Sequence, residues 1–413
     1  MPADATPDLY ADPLAFGQRM QILRTRRGMS RPVVAGLLGK SPSWVKQIER
    51  GEIGMPKLPT VLRIAELLRV RNLSDLTGDQ SAPVDLFIGP GHPRLPEVRD
   101  AVNALTLNTV RQAPSAEHIA ARLATAWAAR HRAARHREVL GELLPGLIRD
   151  AQLTVRQADT AAERRAGQAV LSEVYSLAQF FLAYQPDSAL LWRVAERGTV
   201  AAQESEDPHA IGVAAWLACE AHRDAGHFEA AEAVAQEALG FLADRRAEDP
   251  KVLAIAGALE AGAGFTAARR GEAGAAWGWW DRAQVAAQAL PVGYYDPITS
   301  FSTAIMGAHA VTVAVELRAG GESVRQAAAS DATTIPSRPR RARHRIEEAR
   351  AYQLDGQAET ALATLERAYE AAPETIRYNG FARRIVLEET ESRIPAHRQR
   401  AAVLAEQLGM LAA

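Results

Sequence analysis

The side chains best able to do chemistry in this sequence are its arginines. Between residues 14 and 77 the chain carries nine of them (19, 24, 26, 27, 31, 50, 63, 69 and 71) and three lysines (40, 46 and 57). Against these stand only Glu49, Glu52, Glu66 and Asp75, a surplus of eight positive charges in a protein whose net charge is −1. The rest of the chain is therefore mildly acidic. A small basic module on a larger acidic body is the footprint of polyanion binding, although solvated charge alone would also produce it. A second run, Arg338, Arg340, Arg341, Arg343 and Arg345, reads as an anion site or as the charged surface of a helix start. Catalytic signatures are missing: no GxxxxGK[ST], GxGxxG after a strand, HExxH, CxxC or GxSxG occurs, so an enzyme has no residues to stand on. His131 with His136, and His222 with His227, are spaced by five, about 140° apart around a helix, which argues against a shared metal and suits surface or helix-end positions. No cofactor is expected.

The chain that positions these residues has 413 of them, 47% hydrophobic and 23% charged, the composition of a globular protein of two or three domains. A single cysteine, Cys219, excludes a disulfide framework and suits a reducing cytoplasm; a buried structural role outweighs a reactive one. The acidic, proline-bearing start (1–13) reads as a frayed arm rather than a signal peptide. The longest uncharged stretch, Pro297 to Val315, is broken by Ser300, Ser302, Thr303, Gly307 and His309, so it reads as a buried soluble helix rather than a membrane span. Glycines and prolines crowd the chain from Thr77 to Pro96, marking a linker over 78–97 between a head (14–77) and a body (98–413). Ala- and Leu-rich segments with helical charge spacing predict an all-α body.

In the head, apolar Phe16, Met20, Ile22 and Leu23 predict a first helix stopped by Gly28. Ser30 caps a second (RPVVAGLL), Gly39 permits a left-handed turn, and Ser41-Pro42 opens a third. Counting from Arg31, small Ala35 is fifth, Gly39 ninth, and apolar Val45 and Ile48 fifteenth and eighteenth, where two short helices must lock together. With Ile48-Glu49-Arg50-Gly51 and a helix from Leu58 to Leu68, this stretch of about 60 residues resembles the Cro/repressor (Xre) helix-turn-helix domains. The resemblance implies double-stranded DNA as partner, with the third helix in the major groove. It turns Pro42, Ser43, Trp44 and Gln47 toward the bases. Gln47 is the main candidate, able to pair with adenine, while Lys46, Arg31 and Arg50 suit phosphates. Trp44 could touch a thymine methyl or pack under helix two. Pro42 departs from the usual polar residue there. Glu49 would repel phosphate and calls for an arginine partner.

In the body, three segments share a pattern: a small residue (Cys219, Gly264, Ala349), a turn glycine (Gly226, Gly271, Gly356), then two alanines (Ala231 and Ala238, Ala276 and Ala283, Ala361 and Ala368). The pattern resembles the tetratricopeptide repeat, helped in the third copy by Tyr352 and Pro373, and implies an α-solenoid of five or six helix pairs with a degenerate pair near Gly320. First helices of such repeats line a concave face. That places Trp216, Glu220, Arg223, Phe265, Arg269, Arg343, Arg350 and Gln353 there, a set suited to an anionic peptide or acidic small molecule, though each alone could be a solvated or paired charge. Apolar rows around Phe381, Ile385 and Leu387, or in 115–155, are candidates for dimerisation or capping.

Head and body together resemble the regulators grouped with Rap, Rgg, NprR, PlcR and PrgX and actinobacterial Xre regulators ending in helical repeats. This implies a cytoplasmic, homodimeric transcription factor on an inverted-repeat operator, switched by a signalling peptide or small-molecule effector and independent of membranes. A different class stays open: an interaction scaffold whose repeats recruit a protein, with a head that reads no sequence.

Overall fold

The computed structural model describes residues 16–68, 70, 73–77, 91–105 and 111–410; the predicted arm 1–13 and most of the linker 78–97 lie outside them. Two compact units result, Met1–Phe87 with Thr390–Ser392, and Ile88–Glu389 with Arg393–Ala413. Among the described residues every regular element is helical.

The head comprises α1 (Phe16–Arg26), α2 (Arg31–Leu38), α3 (Pro42–Glu49), α4 (Leu58–Leu67) and α5 (Ser74–Thr77). Ser30 and Ser41 sit in extended backbone, and their hydroxyls accept the Val33 and Trp44 amides at 3.5 and 3.1 Å. Between them Gly39 turns the chain at φ 63°, with its amide and that of Lys40 closing on the last turn of α2. Val34, Ala35, Val45 and Ile48 are sealed in one core with Met20 and Ile64. Helix α1 crosses the end of α3 so closely that a Cβ on Gly17 would stand 2.0 Å from the Ile48 carbonyl oxygen. Only glycine fits there.

The body begins with α6 (Leu95–Asn103), so the predicted linker end at 97 falls inside a helix. It continues with α7 (Ala116–Arg132), α8 (His136–Arg156), α9 (Ala161–Leu182), α10 (Ser188–Ser205), α11 (Pro208–Asp224), α12 (Phe228–Leu242), α13 (Pro250–Arg270) and α14 (Ala273–Ala289). The remaining helices are α15 (Met306–Glu316), α16 (Gly320–Ala329), α17 (Arg338–Leu354), α18 (Ala358–Ala371), α19 (Pro373–Arg377), α20 (Gly380–Glu389) and α21 (Pro395–Gln407). Helix α13 is apolar and long enough to cross a bilayer by composition, but 78% of its most apolar window is buried in the body.

Three hairpins, α11–α12, α13–α14 and α17–α18, share one construction. Gly226, Gly271 and Gly356 turn at φ 74°, 84° and 79°. The small residue then abuts the alanine after the turn: the Cys219 thiol donates to the Ala231 carbonyl at 3.3 Å, and a Cβ on Gly264 would lie 3.0 Å from the Ala276 carbonyl. First helices stack in order, α11 on α13, α13 on α15, α15 on α17. Burial pushes the Cys219 thiol up to about 12, matching an inert packing role.

Three details of the body bear on the expectations. The stretch 297–315 is not one helix: Asp296 accepts the amides of Ile298 and Thr299 at 3.0 and 2.7 Å, holding the chain in a turn, and α15 starts only at Met306 after a single 3-10 turn. The expected helix pair near Gly320 is α15–α16; Arg318 takes the left-handed turn after α15, at φ 62°, and Gly320 opens α16. Ile385, read as part of an exposed row, is fully buried in the core of α17–α21.

The stack also closes on itself. Helix α17 packs against α7, and Glu374 in α19 accepts the Arg137 and Glu138 amides at the start of α8, at 2.5 and 3.3 Å. His136 reaches Thr375 at 3.0 Å and His131 reaches Ser337 at 2.8 Å.

Candidate functional site

On α3 the residues separate by side. Val45, Ile48 and Glu49 are buried, while Pro42, Ser43, Lys46 and Arg50 are exposed and Gln47 is half-buried. Glu49 has two arginine partners: Arg24 at 2.5 Å and Arg31 at 2.6 Å. The carboxylate is 1% exposed, so it is spent inside the head and leaves the outward face of α3 without its negative charge. Arg31 therefore has one edge committed to Glu49, with 36% of its side chain still exposed. Arg50 pairs loosely with Glu52 at 3.6 Å, two exposed groups whose attraction is worth little. Trp44 packs against the head core, and the Lys40 ammonium lies 5.7 Å from its ring. Lys40 was missed in the sequence; its place directly after the turn glycine was the signal that it flanks the start of α3.

The body encloses a cavity of about 240 Å³, small against the roughly 300–1,000 Å³ of drug-sized pockets. Trp216, Glu220, Phe265 and Arg343 line it. The other four predicted residues are placed elsewhere. Arg223 is fully buried, donating to the Gly262 carbonyl at 3.2 Å and paired with Glu220. Arg269 lies 3.7 Å from both Asp224 and Glu316. Arg350 pairs with Glu347 and Glu316 at 2.6 and 2.8 Å and stacks on Phe381 at 3.8 Å. The Gln353 amide is held between Glu388 and Arg384. The stack turns these inward to bind its own carboxylates.

The opposite wall, from α7, α8 and α17, carries Arg130, Arg137 and Arg340. Sequence reasoning passed over the first two because they sit at helix ends far from the repeat pattern. The run 338–345 divides: Arg338 and Arg345 donate to the last carbonyls of α18 (Ala371 at 2.8 Å, Arg367 at 3.0 Å), whereas Arg340 and Arg343 turn to the cavity. His131 and His136 sit at helix ends, the last turn of α7 and the start of α8, half-buried and buried respectively rather than on the surface. Burial, with Arg130 beside it, lowers His131 to about 4, so its neutral ring donates to the Pro297 carbonyl at 2.7 Å and accepts from Ser337. His92, Glu138 and Glu374 converge within 4.8 Å; His92 Nδ1 accepts the Arg94 amide, and Nε2 faces the Glu138 and Glu374 carboxylates at 3.5 and 3.6 Å.

Residues 15–74 match the family described as a helix-turn-helix domain. No curated protein matches the chain. Among solved structures, PlcR of Bacillus thuringiensis in complex with the peptide PapR7 and DNA is similar at 12% identity over 96% of both chains, with a TM-score of 0.32. ComR of S. thermophilus, in complex with DNA and its signalling peptide ComS, is 16% identical over 60% of this chain and 98% of that one, TM-score 0.24. BtubC of P. vanneervenii is 14% identical over 56% of this chain and 90% of that one, TM-score 0.36. None of these likenesses assigns a residue here. Residues 15–74 are a helix-turn-helix domain, and the body that follows it is a stack of helical hairpins.

Proposed function

We propose that this protein is a sequence-specific DNA-binding transcriptional regulator, acting as a homodimer on an inverted repeat, with DNA affinity set by an effector held in the helical body. The observation that carries the reading is the outward face of α3: Ser43, Lys46 and Gln47 are accessible, and the one acid on the helix is buried against Arg24 and Arg31. Gln47 supplies base discrimination, and Lys46, Arg50 and the free edge of Arg31 contact phosphates. An effector shifts the equilibrium only if it binds one arrangement of paired heads better than another.

Selection of genomic fragments by the full-length protein at roughly 150 mM salt tests this, because non-specific contacts are weakened there. An enriched inverted repeat with half-sites about one or more helical turns apart is expected. Gln47→Ala should then relax one base position by about 1–3 kcal/mol of discrimination. Lys46→Ala should weaken all sequences alike and reduce the salt slope by about one. Failure to enrich any sequence overturns the reading and assigns the head to protein recruitment.

A further inference from the structure

We propose that the body cavity binds a small amphiphilic anion, its carboxylate or phosphate seated among Arg130, Arg137 and Arg340 and its apolar part against Phe180 and Trp216. This rests on the body being the effector-binding part of the protein.

Charge along the cavity wall is unevenly matched. Every carboxylate that lines the cavity already has an arginine: Glu220 has Arg223, Glu347 has Arg343 and Arg350, Asp224 has Arg269. Among the described residues no ion pair within 4.0 Å involves Arg130, Arg137 or Arg340; Glu374 acts on Arg137, and Glu220 and Glu347 on Arg340, only from further away. Arg130 and Arg137 are 8% and 4% exposed. Nitrogen atoms of all three, including both Nε and Nη1 of Arg137, are sealed from solvent with no hydrogen-bond acceptor. Arg137 spends one nitrogen on the Ala183 carbonyl at 2.8 Å. Burial lowers all three guanidinium groups, and at Arg130 repulsion from Arg137 and Arg340 adds to it.

A buried cation without a carboxylate is costly to the fold, so two such arginines beside a half-buried third need a reason. Guanidinium forks match planar or tetrahedral oxyanions. The neighbouring wall suits the rest of the ligand: Arg130 lies over Phe180 at 4.2 Å, and Phe180 is 6.1 Å from Trp216. The size limit and the closure of α17 onto α7 favour a compact molecule over an extended peptide.

The test uses the full-length protein without DNA, with benzoate, 1-naphthoate and phenyl phosphate as probes, each beside its uncharged amide or alcohol. We expect a saturable rise in Tm and a change in Trp fluorescence with at least one anion and not with its uncharged counterpart. Arg130→Met and Arg340→Met should each weaken that response at least tenfold while leaving the ligand-free Tm unchanged or higher. Arg400→Met, which breaks an ion pair with Glu366 away from the cavity, should keep the anion response. If a Met variant does not fold, Arg340→Lys or Arg130→Lys takes its place, keeping the charge and losing the fork. No anion-specific response, or one indifferent to these arginines, overturns the proposal. Because DNA is absent, anion binding with failed operator selection sinks only the regulator reading, and the reverse result sinks only the ligand class.

Discussion

Head and body treat buried arginine in opposite ways. In the head, the buried carboxylate Glu49 is held by both Arg24 and Arg31, so the one acid of α3 is more than matched inside the fold. In the body, Arg130, Arg137 and Arg340 converge on a cavity without an acid to match them. An ion pair completed inside the fold is architecture; a cation left incomplete at a cavity wall is an offer to a ligand. The same residue type thus serves stability in one unit and recognition in the other.

The comparison breaks most sharply at Glu49. Glu49→Ala strands the Arg24 guanidinium, which is 11% exposed, while Arg31 can turn to solvent, and should cost the head about 3–5 kcal/mol, the scale for removing one partner of a buried pair. Hydrogen exchange should rise across α1–α4 and stay unchanged in α7–α18. Gly17→Ala should cost the head about 3 kcal/mol, because the new Cβ meets a backbone carbonyl that cannot rotate away. It is read by the same exchange measurement.

A drop in pH should separate the units the other way, since all ten histidines lie outside the head. His131, held near 4 in the fold against about 6.5 unfolded, contributes stability that is complete above pH 6.5 and lost as pH falls toward 4. By pH 5 that loss is about 2 kcal/mol. Urea unfolding at pH 7 and 5 should show the body weakening, and His131→Gln should reduce the difference. The smallest expected effect is Glu374→Gln: a weaker cap on α8 should cost about 1 kcal/mol, seen as faster exchange at 137–140 and 373–378.

The head was legible because its signals are local. Ser30, Gly39 and Ser41 each decide their own backbone within four residues, and Ala35, Val45 and Ile48 follow from the geometry of two short helices. The three hairpins of the body were legible for the same reason, through Gly226, Gly271 and Gly356. The cavity was only half visible. Trp216, Glu220, Phe265 and Arg343 follow from which helix of a repeat faces inward. Arg130 and Arg137 face the same space only because α7 meets α17, and the start of α8 meets α19, more than 200 positions later, and no periodicity announces those contacts. Arg223 and Arg350 obey the face rule, yet nearby acids claim them first.

The carboxylate of Glu374 on the α8 amides has a consequence for how the chain is made. An open stack of repeats gains stability neighbour by neighbour and frays from its ends. Here α8 is finished by a residue 236 and 237 positions further on, so its first turn stays uncapped until most of the body has left the ribosome. Closing so long a loop is entropically late and slow. The seam ties the two ends of the stack together, so a chain truncated before residue 374 lacks the cap on α8 as well as its last helices.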